Sequence, residues 1–163
     1  MIGYTVPGMS WRRIPVRGLA IVVVAGMALT ATPAPAATPS EVKRSNQVFT
    51  IVNNVRANHD LVKLKKNPCL QRFANKRAEY LANTQNTSLP HSNLPTIQQK
   101  CGVGWVGENL VYGPFGSKQM VNKWMNSPGH RANILHRPFR ITGVAARRGG
   151  GYWWVAQVFG RKG

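Results

Sequence analysis

Three times after residue 37 of this sequence, a residue with a helix-capping side chain stands directly before a proline. The pairs are Thr38-Pro39, Asn67-Pro68 and Ser127-Pro128. Proline suits the first helical position because its missing amide hydrogen would be unpaired there, and the capping side chain accepts from the free amides behind it. Glu41, three residues after Thr38, completes a capping box. The sequence therefore predicts three helices with fixed starting points.

Apolar residues recur at helical spacing along the predicted helices, as an amphipathic helix requires to bury one face. A similar stripe predicts a further helix that opens at Ser117, whereas residues 83–100 are polar, contain two prolines and are predicted to be mostly loop. The stripes comprise Val48, Ile51, Val52 and Val55 in the first helix, Leu70, Phe73, Ala74, Ala78 and Leu81 in the second, and Met120, Val121, Trp124 and Met125 in the helix from Ser117.

The last third of the chain has the composition of strands. Residues 102–113, 141–147 and 152–159 are rich in apolar and aromatic residues, and glycines at 149–151 separate the last two segments. Such a glycine-rich connection is typical of a hairpin. Because helices come first and antiparallel strands come last, we predict an α+β fold.

Residues 1–37 are predicted to be a signal peptide. Arg12, Arg13 and Arg17 form a positive leader, and an apolar run over residues 19–29 follows them. This run is shorter than the ~20 apolar residues that a membrane-spanning helix needs. The small residues at 34–36 then give a pattern that signal peptidase cuts. An uncleaved membrane anchor is the alternative interpretation.

Cleavage near residue 37 would leave one domain of ordinary size, residues 38–163. The three leader arginines would go with the signal peptide, which lowers the net charge from +18 to +15. This excess favours anionic partners, such as a cell envelope rich in phosphate, an anionic lipid surface, nucleic acid or an acidic polysaccharide. The alternative is that the charge serves solubility alone.

The chain has two cysteines, Cys69 and Cys101, both in the part predicted to be exported. An even pair in an oxidising compartment indicates one disulfide, which would close a loop of about 30 residues and stabilise the fold by roughly 3 kcal/mol. Two free thiols, or half of a metal site, remain the alternative.

Three segments have compositions that are unusual for structural loops: residues 89–92 (LPHS), 107–110 (GENL) and 124–135 (WMNSPGHRANIL). The second resembles the Gly-Glu-Asn element of the CAP superfamily, which comprises cysteine-rich secretory proteins, antigen 5 and pathogenesis-related proteins. The third resembles the W-x-x-S-P-G-H-R-x-N-I-L signature of its bacterial secreted branch. Residues 143–145 and 152–160 are similar to the closing strand pair of that family. The resemblance covers residues 38–163, in the order of the family.

The resemblance implies an α-β-α sandwich with a small antiparallel sheet flanked by helices. It also implies a cleft with two histidines and two acids, which binds zinc or another divalent ion in several members. His91, Glu108 and His130 match three of these positions. The second acid is missing, because Trp124 is followed by Met125, Asn126 and Ser127. Together with Asn109, the last two are predicted to line the cleft.

Two neutral imidazoles and one carboxylate form the kind of ligand set that leaves a position open on zinc. His91, Glu108 and His130 are therefore the candidate metal ligands. His130 lies in the first turn of its predicted helix, where the positive end of the helix dipole favours the neutral imidazole. A hydrogen-bonding role within the fold is the alternative for His130, and an ion pair with an arginine is the alternative for Glu108.

Several aromatic residues allow two interpretations. Four tryptophans, Trp105, Trp124, Trp153 and Trp154, could stack on nucleic-acid bases, but we predict that they belong mainly to the core. The adjacent pair Trp153 and Trp154 must point to opposite faces of a strand. His59 and His136 match no motif and are predicted to be surface or loop residues.

The leading functional hypothesis is a secreted, non-enzymatic binding module whose cleft holds a divalent metal ion or a small ligand, for which the resemblance suggests a lipid. Its basic surface would bind an anionic envelope or lipid surface outside the cell, without specific recognition of nucleic acid. One alternative is a metal-dependent hydrolase or peptidase, in which the ion activates water. Another is a cationic effector that binds anionic polymers through charge alone.

Overall fold

The computed structural model describes residues 36–162, which form five helices and four strands. The predicted signal peptide, except for its last two residues, lies outside the described part. No helix within residues 36–162 is long and apolar enough to cross a membrane. In chain order the elements are α1 Pro39–Ala57, β1 Lys65–Lys66, α2 Pro68–Thr84, α3 Leu94–Cys101, β2 Val103–Gly113, α4 Ser117–Met125, α5 Pro128–Leu135, β3 Ile141–Gly149 and β4 Tyr152–Lys162.

The three helices predicted from the cap-and-proline pairs begin where the sequence places them. The Thr38 side chain accepts from the Glu41 amide at 3.3 Å, and the Glu41 carboxylate accepts from the Thr38 amide at 2.8 Å, which confirms the capping box. Asn67 caps α2 by accepting from the Leu70 amide at 3.0 Å. Ser127 precedes α5 with no side-chain cap bond. The helix predicted from Ser117 is α4.

Residues 94–101 correct the predicted loop, because they form α3. Asn93 is its capping residue and accepts from the Thr96 amide at 2.9 Å, while Pro95 occupies the second helical position. The signal is the same cap-and-proline device with one residue inserted, and the proline is still within the turn whose amides need no helical partner. The short strand β1 was also missed.

The sheet has the order β1-β3-β4-β2, with β4 antiparallel to both β2 and β3. The two-residue strand β1 pairs parallel to β3, so the sheet is mixed and β2 lies at one of its edges. The predicted antiparallel sheet therefore holds for the three long strands.

Helices pack on both faces of the sheet and make the predicted α-β-α sandwich. On the α1 face, α1, α4 and α5 bury Val52, Trp124 and Ile134 against Phe159. On the α2 face, α2 and α3 bury Leu70, Leu81 and Ile97 against Trp154 and Val158. Alternation along each strand supplies the apolar side chains of both layers.

The tryptophans follow this layering with one exception. Trp124 and Trp154 are fully buried, and Trp153 packs partly buried on the opposite face from Trp154, as predicted. Trp105, in contrast, is 52% exposed, which corrects its assignment to the core. Its position is near the start of β2, on the edge of the sheet, and the neighbouring helices do not cover it.

The predicted disulfide is present and links Cys69, in the first turn of α2, to Cys101, the last residue of α3. Within residues 36–162 there is no free cysteine. The bond therefore closes the α2-to-α3 segment on itself beside the sheet.

Arg56 is a fully buried cation near the end of α1. Its guanidinium donates to the carbonyls of Val62 at 3.0 Å, Ile134 at 2.7 Å, His136 at 3.1 Å and Phe139 at 3.1 Å. Burial lowers the pKa of Arg56 to about 10, and the nearby positive charge of a second arginine adds to the effect. This one side chain ties α1 to the end of α5 and to the connection that follows it.

Candidate functional site

Glu108 is fully buried on β2 and its side chain is directed to the α2 face, where four groups surround the carboxylate. The Ser92 amide donates to Oε1 at 2.8 Å, and the Ser92 hydroxyl donates to Oε2 at 2.6 Å. His91 Nδ1 lies 3.0 Å from Oε1, and Arg77 Nε lies 4.0 Å from Oε2. Both oxygens of this carboxylate are thus engaged within the fold.

These bonds fasten the segment between α2 and α3 to the sheet. Because an ionised carboxylate only accepts, the His91 ring donates to Glu108 through Nδ1. The His91 side chain is 55% exposed although its ring is held by a fully buried partner. Glu108 therefore sets the direction in which His91 faces solvent.

Asn109, the next residue on β2, is fully buried, and its side chain lies on the opposite face of the sheet from that of Glu108. Its Nδ2 donates to the His130 carbonyl at 3.0 Å, and its Oδ1 accepts from Asn133 Nδ2 at 2.9 Å. Asn133 also donates to the Glu108 carbonyl at 3.2 Å. The Asn109 side chain is thus committed to holding α5 on the sheet, and it positions His130 rather than facing the cleft.

A cavity of about 470 Å³ lies beside the exposed edge strand β2. Its lining combines apolar and polar side chains. Three residues predicted from the sequence, Asn126, Ser127 and His130, belong to the polar part. The apolar lining includes Leu89, Leu110, Tyr112 and Trp124, and the polar lining is Lys123, Asn126, Ser127 and His130.

Burial lowers the pKa of the His130 imidazole, and the positive charge of His91 lowers it further. The predicted direction, toward the neutral ring, is therefore supported. The causes are desolvation and a neighbouring histidine, whereas the sequence argument invoked the helix terminus. A neutral His130 ring can donate one hydrogen bond and accept another.

The titration of His130 gives a direct check. We expect its pKa, measured from histidine ring resonances by NMR, to lie below the ordinary value, and to rise in His91→Gln, which removes the charge of its neighbour. With its pKa lowered in the folded protein, His130 binds fewer protons there than in the unfolded chain below about pH 6.5. The contribution of His130 to stability therefore falls as the pH drops through that value. A His130 pKa at or above the ordinary value would contradict the burial of its ring.

A model of the cysteine-rich secretory protein family, CAP, matches residues 49–159 of this chain. The chain belongs to the CAP family. The matched stretch runs from α1 to β4 and includes His91, Glu108 and His130.

Known relatives agree with this membership. The Bacillus subtilis protein YkwD is 26% identical over 129 residues, which are 76% of this chain and 49% of YkwD. An extracellular SCP-domain protein of Bacillus anthracis superposes with a TM-score of 0.64 at 24% identity, over 79% of this chain and 45% of that one. An outer surface protein of Borrelia burgdorferi superposes with a TM-score of 0.65 at 18% identity, over 78% and 97%. The chain spans about half the length of the two Bacillus proteins, and the structural matches show a shared fold.

The zinc site suggested by the CAP resemblance does not fit the donors of this domain. Among residues 36–162, no group of three or more His, Cys, Asp and Glu side chains is arranged to hold a metal ion. The chemistry of the donors explains this, because both oxygens of Glu108 are occupied by Ser92, His91 and Arg77. The second acid of the family is also replaced here. Zinc with three protein ligands would have to share the Glu108 carboxylate with Ser92 and His91.

Three residues of the CAP site were missed by sequence reasoning. Arg77 on α2, Ser92 before α3 and Asn133 on α5 provide the bonds that hold Glu108 and Asn109. An ion pair with an arginine was the alternative interpretation of Glu108, and the structure identifies that arginine as Arg77. Ser92 and Asn133 do stand inside the two motif segments that carried the resemblance, so their position beside His91 and His130 was the available signal.

Proposed function

We propose that this CAP domain is an exported, non-enzymatic binding module that holds a small ligand in the cavity beside His130. The observation that carries the proposal is the engagement of Glu108, whose two oxygens are bonded within the fold. A general base must be free to accept a proton from substrate or water. Glu108 instead acts as an anchor for the cleft, and this arrangement supports binding better than catalysis.

The lining of the cavity indicates the class of ligand. Its apolar wall suits a hydrophobic body, and Lys123, Asn126, Ser127 and His130 suit a polar or anionic end. Ligand sites commonly combine an apolar wall with a few polar groups that fix orientation. A small amphipathic molecule with an acidic group, such as a lipid fragment, matches this lining.

The positive charge supports a second part of the proposal, that the module associates with anionic material of the cell envelope. The chain has 22 Lys and Arg against 4 Asp and Glu. Two structural neighbours are named as an extracellular protein and an outer surface protein, which supports export of this domain as well.

Naphthalene-2-sulfonate, an apolar ring system with one anionic group, is a suitable probe for the cavity. We expect titration of the protein to shift the backbone NMR signals of Asn126, Ser127 and His130. Filling the cavity by Ser127→Phe should abolish these shifts, and Lys123→Gln should weaken binding about tenfold by removing a charge-assisted contact.

A matched control is available on the same helix. Lys118 lies on α4 but lines a separate groove of about 1190 Å³ along α1. Lys118→Gln should leave the affinity at the cavity unchanged, and thermal unfolding of each variant checks that it is folded. Shifts confined to the α1 groove, or equal binding by the Ser127→Phe protein, would refute the cavity assignment.

Zinc titration of the same metal-free samples addresses the main alternative. Micromolar zinc binding by the wild type, lost in both His91→Ala and His130→Ala, would contradict the assessment of the donors and favour a metal-dependent hydrolase. We expect no such binding.

A further inference from the structure

Near one end of the sheet, three exposed side chains form a row on the α1 face. Trp105 of β2 is directly opposite Arg161 of β4. On the other side of β4, Gly160 pairs with Ile141 of β3. Arg140, the residue before Ile141, therefore lies beside Arg161 and extends the row. Residues directly opposite in a sheet share a face, and neighbouring strands are about 4.8 Å apart. The register therefore places one tryptophan in line with two arginines.

The Trp105 ring is held by a stack of other rings. It lies on His136 with 5.0 Å between ring centroids and an interplanar angle of 23°. His136 packs on Phe139 at 4.6 Å, and Phe139 stacks on Phe159 at 5.5 Å in the core. One face of Trp105 is thus covered while 52% of the residue remains exposed. The open face is a fixed aromatic platform.

A cavity of about 550 Å³ adjoins this platform and is lined by Trp105, His136 and two side-chain amides, those of Gln98 and Asn133. Among the described residues, His136 Nε2 is a buried nitrogen without a hydrogen-bond partner. A buried polar atom left without a partner is costly, so such atoms normally meet water or a ligand. The amide nitrogens of Gln98 and Asn133 already donate within the fold, so the acceptors that the cavity offers beside the aromatic surface are the amide oxygens of these two residues.

The charge around the platform is uniformly positive. The Arg161 side chain is exposed, and it makes no hydrogen bond or ion pair to another residue within 36–162. Arg140 is also exposed, and its guanidinium donates to the Phe139 carbonyl at 3.0 Å. None of the four acidic residues of the chain belongs to the row or to the lining of the cavity. An anionic partner is the one that this surface complements.

We infer that this surface binds an anionic polysaccharide. A sugar ring lies on the open face of Trp105, its hydroxyl groups meet the Gln98 and Asn133 amide groups in the cavity, and Arg140 and Arg161 pair with carboxylate groups along the polymer. The inference rests on the proposed association with the envelope and specifies its partner, at a surface separate from the cavity beside His130.

Single-stranded nucleic acid is the other polyanion with rings that stack, but this surface favours it less. Proteins that follow a nucleic-acid strand provide several aromatic side chains for successive bases. Here Trp124 and Trp154 are buried, and Trp105 is the one described tryptophan that is more than half exposed. One platform with amides at its side suits one sugar ring of a charged polymer.

The test compares three polyanions: polygalacturonate, polyglutamate and oligothymidylate. In isothermal titration, we expect Trp105→Ala to weaken binding of polygalacturonate about tenfold and to leave the weak binding of polyglutamate unchanged. Arg161→Gln should weaken both, whereas Arg72→Gln, an exposed change on α2, should weaken neither beyond the effect of one surface charge.

Three results would overturn the inference. They are no binding of polygalacturonate, equal binding of polygalacturonate and polyglutamate that ignores Trp105→Ala, and tighter binding of oligothymidylate that Trp105→Ala abolishes. The Trp105→Ala protein should still give the naphthalene-2-sulfonate shifts at Ser127 and His130. Loss of the glycan site and failure of the cavity proposal are therefore separate results.

Discussion

Replacing Arg56 with methionine is expected to lower the free energy of unfolding by about 4 kcal/mol, because four carbonyl groups lose their donor and two of these bonds, to Ile134 and Phe139, are buried. Methionine has a similar reach and fills most of the vacated volume, so the loss measures hydrogen bonds more than a cavity. The four bonds join α1 to residues as far away as Phe139. Chemical denaturation followed by circular dichroism measures the change.

The control for this experiment is Arg72→Met on the exposed side of α2. We expect that change to stay within about 0.5 kcal/mol, the usual range for surface substitutions. A similarly small effect at position 56 would mean that water replaces the guanidinium, and that α1 is joined to α5 by apolar packing alone.

Glu108→Ala is expected to cost about 3 kcal/mol, because it removes a buried carboxylate and leaves its donors without their acceptor. The Ser92 amide donates to this carboxylate at 2.8 Å, so its hydrogen exchange should accelerate strongly in the variant. The His91 ring, also held by Glu108, should lose its fixed orientation. Denaturation and amide exchange measure these two consequences separately.

Glu79 is a carboxylate on α2 that is only partly buried, so Glu79→Ala is the matched control. It should change neither the free energy of unfolding nor the exchange of the Ser92 amide appreciably. Glu108→Gln keeps the shape of the side chain but gives it only one accepting oxygen, so an intermediate cost is expected. If Glu108→Ala leaves exchange at Ser92 unchanged but abolishes ligand binding, the carboxylate belongs to the ligand rather than to the frame.

The predictable part of the fold is the part encoded by neighbouring residues. Thr38-Pro39 and Asn67-Pro68 fix the starts of α1 and α2 because capping depends on side chains within one helical turn. The same rule fails at α3 only because Pro95 stands two residues after Asn93 instead of one. The role of Arg56 could not be predicted, since its partners lie up to 83 positions away and are brought together by packing.

The residues of the candidate site could also be predicted only in part. His91, Glu108 and His130 lie in recognisable motifs, and the structure places all three beside the edge of β2. The direction of each side chain could not be predicted, because it depends on strand alternation and on partners such as Arg77 from another helix. Trp105 shows the same limit, since a tryptophan in an apolar strand segment fits a core or a surface equally well until the sheet edge is known.

Glu108 and Asn109 are adjacent on β2, yet Glu108 holds the segment that carries His91 through Ser92, and Asn109 holds the helix that carries His130. Neither histidine is needed to keep its own backbone in place. Substitution at 91 or 130 can therefore change the chemistry of the cleft during evolution at little cost in stability, as long as the Glu-Asn pair persists. In such a lineage, ligand preference would diverge faster than the frame, so a conserved Glu-Asn pair would identify the scaffold without identifying its ligand.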